Sequence, residues 1–410
     1  MTVLKLILAG LRRRPATWAF HMALLAVAVG VILSIGLIRQ ATEDRLARDL
    51  AGVDLVVGAS GSPIQLILST LLASDAPTGN IPHAVWVGLS NDPLVAHAVP
   101  VSLGDSVGDV RIVGTTPDYA GLYDAELTVG RWWEDSFQAV LGADAARRLG
   151  RDVGDTFVGA HGMATTSETH DEHPYRVIGI LAPTGTVVDR LALTSLESVW
   201  DLHNPEAYGE EGAHHDQATH GEEHGHAEDA PREVTAVLVR FRSPLAAVVL
   251  PPRLARQAGL QAASPAREAQ RLNVLVGDAA GLLERLGLAL LGLAAAGFIV
   301  ALSAAVLQRR PEIALLKALG ARAPLLARWL LLEGLLLGAA GGLAGVAAGR
   351  LLTALIAHSG AAPISLSAPP VGLLDLGLTI AAALIGAIGA IPALIAAVRV
   401  DPVKSLEGAR

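Results

Sequence analysis

The chain has 410 residues, 52% of them hydrophobic and only 17% charged, against about 25% charged in soluble domains. Of its 39 acidic residues, 34 lie between positions 39 and 285 together with 18 of the 31 basic ones, so that block carries −16 and the remainder +8. An acidic, water-facing block framed by apolar, basic ends points to a membrane protein and away from nucleic-acid binding, and the lack of cysteine excludes disulfides, thiolate nucleophiles and cysteine-based zinc sites.

Residues 1–15 carry Lys5, Arg12, Arg13 and Arg14 and lead into Ala16–Ile38, which has no charged residue. A helix of that length rises roughly 35 Å, enough for a hydrocarbon core of about 30 Å. The run exceeds the apolar core of a signal peptide, and no clean small-x-small site precedes Arg39. A retained first transmembrane helix is therefore expected over a cleaved leader. The charged stretch Gln40–Leu50 reads as its helical continuation, a stalk.

Residues 39–285 read as a large α+β extracytoplasmic domain between the first and second transmembrane helices. Strand-like runs at Val110–Val113, Val177–Leu181 and Val234–Phe241 each precede turn residues. Helical patterns appear at Asp144–Leu149 and at Leu254–Val276, the latter leading back to the membrane. Gly52–Gln65 suggests a short strand before a Gly/Ser-rich turn, without the lysine of a phosphate loop. Gly58-Ala59-Ser60-Gly61-Ser62 lacks the spacing of a hydrolase elbow.

Nine of the 13 histidines fall between 161 and 226. His161, His170 and His173 occupy the stretch 161–173. The stretch 203–231 holds His203 and five candidate metal ligands, His214, His215, His220, His224 and His226, among Glu210, Glu211, Asp216, Glu222 and Glu223. Imidazoles with neighbouring carboxylates suit weak, multi-site Zn(II) binding. Gly209, Gly212, Gly221 and Gly225 oppose the rigid three-ligand frame of a catalytic zinc. The alternative is an acidic, disordered loop with no defined site.

The second span, Leu286–Leu307, is uncharged. Residues 308–328 form a basic segment, and a third span covers about Trp329–Ala357, with Glu333 and Arg350 as functional candidates or snorkelling charges. Its Gly334, Gly338, Gly341, Gly342, Gly345 and Gly349 have small-xxx-small spacing, expected to pack helices closely within the chain or across a dimer. A loop at 358–375 leads to the fourth span, Leu376–Val398, and a tail at 399–410. Lys and Arg concentrate at the N-terminus, in 308–328 and in the tail, which puts those parts in the cytoplasm and 39–285 outside. The only lysines are Lys5, Lys317 and Lys404, none in a Gly-Lys-Ser/Thr context. If ATP drives this chain, another chain hydrolyses it.

Arg309–Ala321 reads RRPEIALLKALGA, Leu331-Leu332-Glu333-Gly334 opens the glycine run, and Arg399-Val400-Asp401-Pro402-Val403 closes the chain's last span. These stretches resemble the FtsX/MacB-type permease family of ABC transporters, specifically over about 281–405 and more loosely over 1–60. The resemblance implies a non-catalytic permease subunit in the bacterial inner membrane, paired as a dimer with a cytoplasmic ATPase dimer that holds ATP and magnesium. It implies mechanotransmission, with the segment between spans two and three as the ATPase contact. By the resemblance, Arg309, Arg310, Glu312, Lys317, Leu319 and Gly320 are the coupling residues. The substrate class would be a lipoprotein, a peptide or a hydrophobic compound, with a periplasmic partner protein. A zinc-linked system using the histidines, and a non-transporting regulator of a periplasmic enzyme, are the alternatives.

Overall fold

The computed structural model describes residues 15–161, 173–203, 232–358 and 370–400. It forms two units, one spanning Arg45–Asn273, the other Met1–Asp44 with Val274–Arg410.

Helix α1 (Pro15–Asp49) belongs to the second unit until its last turn, where Arg45 and Asp49 enter the first. Gly52 then turns the chain at φ +83°, where an added Cβ would collide with the Leu122 carbonyl, so only glycine fits. There follow β1 (Leu55–Ala59), α2 (Pro63–Thr70), β2 (Ile81–Pro82), α3 (His83–Ser90), β3 (Val95–Val107), β4 (Val110–Thr115), α4 (Asp118–Gly121), β5 (Leu127–Gly130) and β6 (Gln138–Leu141). Next come α5 (Ala143–Leu149), β7 (Thr156–Phe157), β8 (Ala160–His161), β9 (Tyr175–Leu181), β10 (Leu191–Thr194), α6 (Leu196–His203), β11 (Glu233–Val234), β12 (Ala236–Phe241), α7 (Ala246–Leu254) and β13 (Leu260–Ala263).

One sheet runs β13-β1-β12-β3-β4-β10-β6-β9-β5. Its pairs are antiparallel except β4–β10 and β6–β9, which are parallel. Alternation along the strands splits the core between two faces. Val56 and Leu238 join Leu66 and Ile67 of α2 on one side. Their neighbours Val57, Val237 and Val239 meet Leu89 of α3 and Leu250 of α7 on the other. Burial on both faces explains why Leu55–Val57 of β1 and Ala236–Val239 of β12 read as unbroken apolar runs.

The strands expected at 110–113, 177–181 and 234–241 fall in β4, β9 and β11–β12, and Asp144–Leu149 lies within α5. Leu254–Val276, expected as a single helix, is divided. Gly259 (φ +80°) turns the chain, and β13 pairs with β1 before a new helix begins at Pro265. An unfilled sheet edge outweighs the helical pattern there.

Helix α8 (Pro265–Gln308) begins in the first unit and belongs to the second from Val274 onward, with α9 (Arg310–Ala318), α10 (Ala323–His358), α11 (Leu373–Val398) and the body of α1. Within α1, α8, α10 and α11, the segments Trp18–Asp49, Gly281–Gln308, Ala323–Ala357 and Leu373–Val398 are long and apolar enough to cross a membrane. The charged continuation of the first span is helical through Asp49, and the second is preceded by helix from Pro265. Helix α10 begins at Ala323, ahead of the apolar run at Trp329. Pro324 suits a first helical turn, and Arg328 is compatible with helix although it lowers local hydropathy.

Candidate coupling site and glycine seams

A proline sets the start of the short helix. Pro311 cannot donate to a carbonyl four residues back and its ring crowds that carbonyl, so the helical run of α8 stops at Gln308. The chain turns at Arg309 and resumes as α9 with the proline in its first turn. At the other end, Gly320 adopts φ +93°. The Gly320 N–H donates to the Lys317 carbonyl (3.0 Å) and the Ala321 N–H to the Leu316 carbonyl (2.9 Å), a Schellman closure. Pro311 and Gly320 thus isolate a nine-residue helix within a basic segment.

The inner face of α9 packs Ile313 and Ala314 against Val306, Leu326, Trp329 and Leu330. Arg309 Nη1 lies 3.3 Å from both Glu333 carboxylate oxygens, and its guanidinium stands 5.6 Å from the Trp329 ring centroid. Glu333 is 1% exposed. Lys317 Nζ donates to the Val398 and Val400 carbonyls at 2.7 and 2.8 Å, satisfying oxygens that the end of α11 leaves open. On the outer face, Arg310, Glu312, Leu315, Leu319 and Gly320 are exposed, Leu319 at 77%. The six residues singled out from sequence therefore divide. Arg309 and Lys317 turn inward and hold α9 in place, while Arg310, Glu312, Leu319 and Gly320 face outward.

The glycines of α10 separate into two seams. A Cβ added at Gly334 or Gly338 would collide with the Gly386 or Ala382 carbonyl of α11, and one at Gly342 would approach Ala382 Cβ to 2.8 Å. Gly341, Gly345 and Gly349 instead face α1. There an added Cβ would lie 2.7 Å from the Ala26 carbonyl and 2.8 Å from the Gly30 carbonyl at the last two. Ser34 crosses this second seam, donating to the Gly349 carbonyl at 3.0 Å. Within the chain, both seams bring helix backbones into close approach.

Arg350 grips Asp375 at 2.8 and 2.6 Å, a fork-to-carboxylate geometry, and also reaches the Pro370 carbonyl. Asp375 in turn accepts from the Gly372 N–H at the start of α11. Sequence reasoning singled out Glu333 and Arg350 but did not pair them with Arg309 and Asp375. Separations of 24 and 25 residues carry no periodic signal.

His214, His215, His220, His224 and His226 lie outside the described residues, as does 162–172 between His161 and His173. Among the described residues, no group of three or more His, Asp or Glu side chains could hold a metal. His173 stacks on Phe137 at 5.1 Å.

Residues 19–247 match the MacB-like periplasmic core domain, more than half of the chain, and residues 286–400 match the FtsX-like permease C-terminal domain. The chain belongs to the FtsX/MacB-type ABC permease family. Solved structures similar to the permease include the periplasmic region of MacB from Actinobacillus actinomycetemcomitans, at 12% identity and TM-score 0.35, over 55% of this chain and 95% of that one. Another is the extracellular domain of the noncanonic ABC-type transporter YknZ from Gram-positive bacteria, at 12% identity and TM-score 0.30, over 51% and 98%. No curated protein sequence matches the permease. The family is that of ABC permease components and implies an ABC ATPase partner and a membrane context.

Proposed function

We propose that this permease works by mechanotransmission: a separate cytoplasmic ATPase dimer, carrying ATP and magnesium, drives α9, and the motion reaches residues 39–285 outside the membrane. The observation that carries this reading is α9 itself, a short helix seated on α10 and α11 with Arg310, Glu312, Leu315 and Leu319 facing outward. A small apolar knob ringed by charge suits a groove on a protein partner better than lipid or open water.

Several features support the membrane frame. Large side chains such as Val27, Leu293, Val300, Leu343, Leu355 and Ile388 are exposed along the four apolar helices, as lipid contact requires. The basic residues Arg310, Arg322 and Arg328 cluster around α9, which favours a cytoplasmic position for it and for both termini, and an extracytoplasmic one for 39–285. We place the permease in a bacterial inner membrane, paired with a second permease chain. Among the described residues of α10 and α11, the two buried carboxylates are each held by an arginine, Glu333 by Arg309 and Asp375 by Arg350. A polar conduit for substrate is therefore less well supported than work on a lipoprotein, peptide or hydrophobic compound from the outer side.

The test is co-purification of an ATPase with the tagged full chain. Leu319→Asp should cut ATPase recovery at least about tenfold, the scale of a lost apolar anchor, while leaving the permease folded. Undiminished recovery would rule out the outer face of α9 as the contact.

A further inference from the structure

We infer that Glu333 is a positioning residue whose grip on Arg309 holds α9 in a single pose on the α10–α11 pair. This deepens the coupling reading and rests on it for its functional meaning. The geometry stands independently of it.

Burying a carboxylate and a guanidinium costs desolvation energy that their attraction only partly returns, and apolar residues of similar volume fill such a place at no such cost. Helix adhesion alone does not call for the pair, since Ile313 and Ala314 already seat the inner face of α9. What the pair adds is direction. Arg309 sits at the break between α8 and α9, where the backbone leaves helical geometry. Its planar head meets both Glu333 oxygens while lying over Trp329, so rotating the start of α9 would break both interactions at once. The far end of α9 is fixed to a different helix, through Lys317 and the closing carbonyls of α11. The Gly334, Gly338 and Gly342 seam joins those two helices backbone to backbone. Two anchors on two locked helices leave a short helix little freedom to pivot, so a push on its outer face moves the pair beneath it.

The test is amide hydrogen exchange on the full-length chain in nanodiscs, without ATPase. Glu333→Gln keeps the shape of the side chain and removes its charge, leaving Arg309 with a weaker partner. Exchange across 312–318 should accelerate about tenfold or more, while 335–349 of α10 keeps its protection. Arg309→Lys retains the charge but loses the fork and the stacking, and should give a smaller acceleration in the same segment. Unchanged exchange at 312–318 in both variants overturns the inference. So does equal loss of protection in α10, which would make the pair a general staple of the helices. If Glu333→Gln does not fold, Arg309→Lys decides alone by the same criterion. With the co-purified ATPase added, a freed α9 that leaves ATPase recovery and hydrolysis at wild-type levels would uphold the positioning role and refute the coupling reading.

Discussion

At the scale of single residues, ionisable groups in the mixed unit are buried for packing as much as for charge. Tyr175 lies against Phe157 and Phe137, and its hydroxyl makes no hydrogen bond among the described residues. Burial, reinforced by nearby Asp105, pushes its pKa well above the ordinary tyrosine value, and burial does the same to Tyr119 and Tyr123. The folded form therefore keeps these phenols neutral at a pH where the unfolded chain ionises, near about 10. Their stabilisation is complete below that pH and is lost as pH rises beyond it. The denaturant midpoint, followed by near-ultraviolet circular dichroism, should stay flat as far as tyrosine is concerned between about pH 7 and 9 and fall above about 10. Tyr175→Phe should make the alkaline fall shallower and cost little at neutral pH, because it removes a hydroxyl without a partner. An equally steep fall would show that Tyr175 is not held neutral.

Between elements, backbone proximity matters more than side-chain chemistry. The spacing of glycines along 334–349 indicated close helix packing. Which neighbour each glycine meets was not legible, because a four-residue spacing defines a face and not its partner. In the structure, one set meets α11 and the other α1. Gly338→Val should force α10 and α11 apart at the Ala382 carbonyl and destabilise the chain by about 1–3 kcal/mol, the usual scale of overpacking. Gly377→Ala is the control. Nothing lies within 4 Å of a Cβ there, so helix propensity should make the change neutral or stabilising by up to about 1 kcal/mol. Thermal inactivation in detergent reads both, and a Gly338→Val variant as stable as wild type would contradict the seam. The short helix was likewise partly readable. Pro311 and Gly320 bracket it in the sequence, whereas the inward turn of Arg309 and Lys317 depends on where Glu333 and the end of α11 lie.

For the whole molecule, the histidine-rich stretch is a separable question. Trp200 Nε1 donates to the Glu233 carbonyl at 2.6 Å, which joins the chain on either side of residues 204–231. Replacing 204–231 by a short linker should therefore preserve the thermal transition of the full chain. If zinc is bound there, the intact chain should take up Zn(II) at micromolar levels and the shortened one distinctly less. No uptake by the intact chain would eliminate the metal reading. Sequence alone determined the division into apolar, basic ends and an acidic, mixed middle, because hydropathy and charge are sums over neighbouring residues. Within 308–328, which the sequence marked only as one basic segment, Pro311 and Gly320 set the bounds of α9 through local effects on the backbone. The strand order, the two glycine seams and the Arg309–Glu333 and Arg350–Asp375 pairs were decided only by the tertiary structure. Each joins residues from different helices or strands, and such contacts depend on how the chain closes in space rather than on any period along it.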